Sequence, residues 1–309
     1  MNILGVCSIA VDTICQVDHL PIKDSFCNVL SSERLQGGSG TNVLVQAAKL
    51  GASTGVITQV AQDADSDWIM DNLARRGIDS RGVVRRPGEF DAPSCLIYVD
   101  PHGEKMLVVS REHRLPPLEE ERADLSLIEE ADIVYLDLNP AELNMAAAQR
   151  AHAAGKKVVI NFQEDLESIL SQGVDRTFLT DILAYVDVFA PCQEAIRALS
   201  GSDELSGQVE FIRRYYPGLI VLTLGAQGVV AYDERDREIR IPAVAIEARD
   251  TTGAGDSFIG SFMVSHLVEH MDLKAALWYS TWCAAYTCLD FGAQASPTAE
   301  QVQRFMESV

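Results

Sequence analysis

From Gly55 to Thr223, short apolar runs of strand length alternate with segments whose apolar residues recur at helical spacing. That rhythm restricts the chain to few architectures. Gly55 to Val60, Ile133 to Leu136, Lys157 to Asn161, Val186 to Phe189 and Leu219 to Thr223 read as strands too apolar to leave a face in water. Between them lie helical segments at Asp65 to Arg76, closed by Gly77, and at Ala141 to Ala154, closed by Gly155. Gln193 to Ser200 and Gln208 to Tyr215 are also helical in pattern. Ile3 to Ala10 predicts a first buried strand, followed at once by Asp12, and Thr41 to Leu50 a helix stopped by Gly51. Buried strands separated by helices imply a mostly parallel sheet covered on both faces, a three-layer αβα sandwich of α/β class.

Two stretches break the rhythm. Residues 13–35 and 82–110 carry the period of two that marks half-exposed antiparallel strands, as in Ser94 to Val99 and Lys105 to Val109 around Asp100-Pro101-His102-Gly103. A small sheet of this kind buries little by itself, so it is expected to act as a lid or to pack on a second copy of the chain. No repeat or linker divides the sequence, and one domain over residues 1–309 is expected, with the lid inserted from roughly 13–35 and 82–110. From Gly255 onward the pattern is mainly helical, with a break near Gly292 to Pro297.

Charge decides which partners to exclude. A formal charge of -20 opposes both nucleic acid and anionic membrane. The seven cysteines form an odd set without a Cys-x-x-Cys pair, which suits reduced thiols in a cytoplasmic protein. No apolar stretch approaches the length needed to span a membrane.

The segment Asp250-Thr251-Thr252-Gly253-Ala254-Gly255-Asp256 opens an apolar helix. Small residues there let the backbone approach a ligand, and first-turn amides make an anion site. A carboxylate beside a bound phosphate is repelled unless it accepts a proton, so Asp256 points to phosphoryl transfer. A second cluster, Gly37-Gly38-Ser39-Gly40-Thr41-Asn42, opens another helix, and the Asn42 amide can hold a hydroxyl as donor and acceptor.

Taken in this order and about two hundred residues apart, the two clusters resemble the signatures of the ribokinase-like (PfkB) carbohydrate kinases. The likeness extends over nearly the whole chain, through Ser8 to Asp12, Leu50-Gly51-Ala52, Thr223-Leu224-Gly225-Ala226-Gln227-Gly228, Gly292-Ala293 and Ser296-Pro297-Thr298. It implies an ATP-dependent kinase that uses Mg2+ and phosphorylates a hydroxyl, most often a primary one, of a sugar or sugar derivative. Asp256 corresponds to the catalytic base, and Gly253, Ala254 and Gly255 to the backbone donors around the transferring phosphoryl group. Asp12, Gly38 and Asn42, with Ser39 beside them, correspond to the sugar site. Thr223, Gly225 and Gly228 match the loop along ATP. Asp250 and Thr252, with carbonyls near Ala293 and Ser296, match a monovalent-cation (K+) site of some members. A homodimer formed through the lid is also implied.

Departures from the family pattern bear on specificity and on rate. Ala10 and Ser39 stand where ribokinase-like members often place asparagine and lysine, which disfavours ribose itself. Cys192 falls at the asparagine of an Asn-x-x-Glu segment that helps organise Mg2+. Arg111 or Arg114, after a lid strand, is a candidate reader of an anionic group on the substrate. Two alternatives stand beside the sugar kinase: a nucleoside kinase of the same family, and a sugar-binding sensor with weak catalysis.

Overall fold

The computed structural model describes every residue except 111, 162–169, 171–172 and 309. The first half of the chain forms β1 (Ile3–Val6), β2 (Ala10–Val17), β3 (Val29–Gly37), α1 (Ser39–Lys49), β4 (Thr54–Val60), α2 (Ala64–Arg75), β5 (Asp79–Arg85), β6 (Ser94–Val99) and β7 (Lys105–Val109). Then follow β8 (Ile133–Leu136), α3 (Ala141–Ala153), β9 (Lys157–Ile160), α4 (Arg176–Ile182), β10 (Val188–Phe189), α5 (Gln193–Ser200) and α6 (Leu205–Arg213). The last part holds β11 (Leu219–Thr223), β12 (Val229–Tyr232), β13 (Glu238–Ile241), α7 (Ala254–Phe262), α8 (Leu273–Thr287) and α9 (Ala299–Ser308).

Nine strands form the main sheet, in the order β13-β12-β11-β10-β9-β8-β1-β4-β5. From β11 to β5 every pairing is parallel, and β12 and β13 add an antiparallel edge. Successive strand residues feed opposite faces, as the pleat requires. Leu4, Val134, Leu136, Val158 and Ile160 pack under α3 to α6, whereas Ile3, Ile133, Tyr135 and Val159 pack under α1, α2, α7 and α8. The expected αβα sandwich is therefore present, with one apolar core on each side of the sheet. Parallel strands direct their carboxyl ends to one edge, the place where open α/β sheets bind ligands.

The small sheet is separate, in the order β3-β2-β6-β7. Its β2–β6 pair is parallel, so the antiparallel reading holds only for β2–β3 and β6–β7. The second stretch also begins later than its sequence pattern suggested. Residues 82–85 belong to β5 in the main sheet, where Gly82 pairs with Ile57; a partly exposed edge strand shares the period of two. Ile14, Ile97 and Val99 make a minimal lid core with Leu35 and Cys95. Arg34 of β3 pairs with Asp65 of α2 and lies 5.6 Å from the Trp68 ring centroid, tethering the sheet to the main body. Among the described residues no helix is long and apolar enough to cross a membrane.

Candidate active site

Two helix N-termini meet at the carboxyl edge of the sheet. α1 and α7 run side by side in the same direction, with Gln46 Nε2 donating to Ser261 Oγ at 2.9 Å. At Gly260, a Cβ would come within 2.5 Å of the Val43 carbonyl, so only glycine lets the two backbones approach this closely. The close crossing carries the first turns of both helices into contact.

There Ser39 Oγ donates to Asp256 Oδ1 at 2.7 Å, and Asn42 Nδ2 donates to Asp256 Oδ2 at 2.9 Å. Asp256 is 5% exposed in the first turn of α7. The N–H group of Gly255 lies where no earlier helical carbonyl can reach it, as at any helix start. The Ala254 N–H turns back to the Thr251 carbonyl at 3.3 Å, so its engagement differs from that of a free donor. Gly253 caps the helix at φ 76°, and a Cβ there would stand 2.4 Å from the Ala293 Cα.

Asp12 lies beside these groups. Its carboxylate lies against the Gly37 backbone, where a Cβ would fall 1.8 Å from Oδ2. Burial, and then the neighbouring Asp256 charge, push the Asp12 carboxyl up to about 7. Gly38 holds φ 89° as the cap of α1, pressed against the Ile9 and Ala10 backbone. Asp12, Gly38, Ser39, Asn42 and Asp256 thus share one partly buried locality, although Asp12 and Asp256 are far apart in sequence. Arg111 lies outside the described residues.

Sequence reasoning missed three contributors. Asp137 Oδ2 accepts from Ser8 N at 2.7 Å and from Ser8 Oγ at 2.6 Å, and the Ser8 carbonyl accepts from Thr41 Oγ1 at 2.6 Å. This chain of bonds fixes the first turn of α1 to the end of β1. Gln294 Nε2 donates to Asn42 Oδ1 at 3.2 Å, and Lys49 reaches the same loop. For the loop, the sequence showed a helix break at Gly292 to Pro297 and a family likeness on either side of Gln294, but nothing local paired it with α1.

The nucleotide-loop residues stand farther along the same edge, at the end of β11. Leu224 N donates to the Gly228 carbonyl at 2.8 Å, closing a tight turn that starts at Thr223, and Gly225 sits at φ 56° with open space where a Cβ would project. Gly228 differs. A Cβ there would lie 2.1 Å from the Ile241 carbonyl, so close packing against β13 already requires a glycine. Cys192 bridges to Thr223 and starts α5 without a side-chain cap, and burial raises its thiol.

The cation candidates give a mixed fit. Asp250 Oδ1 and Oδ2 accept from Thr252 N and Gly292 N, each at 2.8 Å. Thr252 Oγ1 and Ser296 Oγ are buried without a hydrogen-bond partner, which suits a cation, but the Ser296 carbonyl is taken by the Lys49 ammonium at 2.5 Å. Among the described residues no group of three or more His, Cys, Asp or Glu is placed to hold a metal ion.

The chain is 28% identical over 308 residues to a nucleoside kinase of Methanothermobacter thermautotrophicus, covering 98% of this chain and 95% of that one. It is 26% identical over 309 residues to the ribokinase of Bacillus subtilis, covering 99% of each. The crystal structure of a ribokinase from Thermotoga maritima superposes with a TM-score of 0.82 at 26% identity, over 99% of both chains. The family model for pfkB carbohydrate kinases matches residues 6–300, so the chain belongs to the pfkB family of carbohydrate kinases.

Proposed function

We propose that this kinase transfers the γ-phosphoryl group of Mg–ATP to a hydroxyl, in the first instance a primary hydroxyl, of a sugar or sugar derivative, with Asp256 as the base. The observation that carries the reading is the pair of contacts from Ser39 and Asn42, on one helix start, to the buried carboxylate of Asp256 on another. Two convergent first turns offer amide dipoles for phosphate on one side and side-chain hydrogen-bonding groups for an alcohol on the other. In this reading the acceptor hydroxyl displaces Ser39 and gives its proton to Asp256. Its oxygen bonds to the γ-phosphorus while the bond to the β–γ bridging oxygen breaks, leaving ADP. The remaining work is positioning and charge stabilisation by the α7 amides. Asp12 and Asn42 would hold other hydroxyls, and Thr223 and Gly225 would lie along the nucleotide.

The test is Asp256→Asn. Nucleotide-dependent thermal stabilisation should persist while ADP release falls by roughly 10²–10⁴-fold, the range for general-base loss. Undiminished turnover would remove Asp256 from the chemistry. A nucleoside acceptor is the second reading, favoured by the likeness to a nucleoside kinase. Comparing ADP release with ribose, deoxyribose, nucleosides and anionic sugars separates the two, and activity limited to neutral sugars would dismiss Arg111 as a substrate contact. We also place a homodimer contact on the lid, whose β7 residues Leu107, Val108 and Val109 are exposed at one edge of the small sheet and whose β3 residues Val29 and Leu30 are exposed at the other. The free thiols of all seven cysteines suit a cytoplasmic setting.

A further inference from the structure

Lys49 is the last residue of α1, where a lysine would ordinarily extend into water and favour the negative end of its own helix. Here it does something else. Its ammonium donates to the carbonyls of Gln294 and Ser296, at 2.6 and 2.5 Å, and is partly buried in doing so. Two main-chain carbonyls converging on one cation make a ligand pair of the kind that otherwise collects an ion or water.

The loop held in this way touches the candidate site at Asp250, Gly253 and Asn42. Gly292 N donates to Asp250, Ala293 backs Gly253 at the start of α7, and the Gln294 side chain reaches Asn42. Gly292 also faces Leu35 of the lid, where a Cβ would fall 2.4 Å from Cδ1. Asn42 and Lys49 are seven residues apart on α1, two turns or about 10 Å along the axis. Gln294 therefore binds the helix at both ends, by its side chain at Asn42 and by its carbonyl at Lys49. A residue so fixed presents its amide to Asn42 with little rotational freedom.

We propose that Lys49 is a positioning residue for the acceptor site, its ammonium acting as a resident cation that fixes the 292–296 loop and, through Gln294, orients Asn42 toward Asp256. The inference rests on the reading of Asn42 as a contact of the phosphoryl acceptor. It predicts an effect on acceptor affinity rather than on ATP, since Thr223 and Gly225 lie on another loop.

The experiment uses full-length Lys49→Ala and Lys49→Met, with Gln294→Ala as the second route. For Lys49→Ala, the acceptor KM should rise about tenfold, equivalent to ~1.4 kcal/mol, with the ATP KM within about twofold of wild type. Ethylammonium chloride should lower that KM again, because a small alkylammonium can refill the vacated place between the two carbonyls, while sodium chloride at equal ionic strength should not. Lys49→Met leaves an apolar stem in the place and should show the loss with little rescue. Gln294→Ala should show the same KM rise with no response to amine. An acceptor KM in Lys49→Ala equal to wild type overturns the proposal, and so does a raised KM that no amine lowers, which would mean that Lys49 acts through packing of its stem. If both Lys49 variants fail to fold, an unchanged acceptor KM in Gln294→Ala overturns it alone. Should wild type release no ADP with any acceptor, the kinase reading has failed instead. Lys49 is then judged by melting temperature, with ethylammonium stabilising Lys49→Ala and not wild type.

Discussion

Replacing Asp12 with asparagine separates the charge of the acceptor site from its shape. The Asp12 carboxyl titrates at about 7 instead of 3.8, first because it is buried and then because Asp256 repels its charge. Its folded-state pKa is raised, so the folded protein holds the proton more tightly than the unfolded chain does. The associated stability is complete below about pH 4 and is lost as pH rises through about 7. The full span is about 4 kcal/mol at 1.36 kcal/mol per unit, and roughly 3 kcal/mol of it falls between pH 5 and pH 8.5. Asp12→Asn keeps the volume against Gly37 and has no charge to lose. Its stability relative to wild type should therefore improve by roughly 3 kcal/mol on going from pH 5 to pH 8.5, measured by urea unfolding of both proteins across that range. Titrating groups that do not interact with Asp12 are shared and cancel in the difference. A wild-type-minus-variant difference that stays flat with pH would refute the reasoning. The same carboxyl should release its proton when hydroxyls bind to its ionised form, so the wild-type acceptor KM should fall from pH 6 to pH 8 and that of Asp12→Asn should not.

Gly253→Ala forces a Cβ into φ 76° and against Ala293. It should destabilise the fold by about 1–3 kcal/mol and depress kcat more than acceptor KM, with thermal melting and steady-state kinetics as the readouts; wild-type values of both would show that the first turn of α7 is not tightly held. Leu107→Glu on the exposed face of β7 should shift the protein from dimer to monomer in sedimentation without lowering its melting temperature. An unchanged sedimentation coefficient would remove the lid from the dimer contact.

Much of the main sheet was legible because its strands are buried on both faces. Ile133–Leu136, Gln193–Ser200 and Leu219–Thr223 have the bounds that the apolar pattern predicted. Boundaries slipped where burial is one-sided. Residues 82–85 alternate like a lid strand yet pair with β4, and only the partner strand distinguishes the two cases. Helix starts were also read late: α1 begins at Ser39 and α6 at Leu205, since first turns carry small or polar residues that dilute the periodicity.

At the site, the glycine turns and Asp256 were visible because phosphate-binding backbone needs small residues in an unbroken run. Gly228 has a packing reason besides the one inferred, since a Cβ there would meet the Ile241 carbonyl. Asp137, Gln294 and Lys49 left no local mark. An aspartate after a strand, a glutamine in a loop and a lysine at a helix end are ordinary in those places, and their roles come from partners 129, 252 and 245 residues away.

The sequence by itself determined the α/β sandwich, the two helix-opening glycine turns and the position of Asp256 in the first turn of one of them, because periodicity and backbone chemistry are local properties. Tertiary structure alone decided that Asp256 faces Ser39 and Asn42, that Asp12 loses its proton near neutrality, and that a loop from the end of the chain is held by a lysine from its beginning. Those facts depend on α1 and α7 lying in parallel at the distance Gly260 permits. A distance between two helices is not written in either of them.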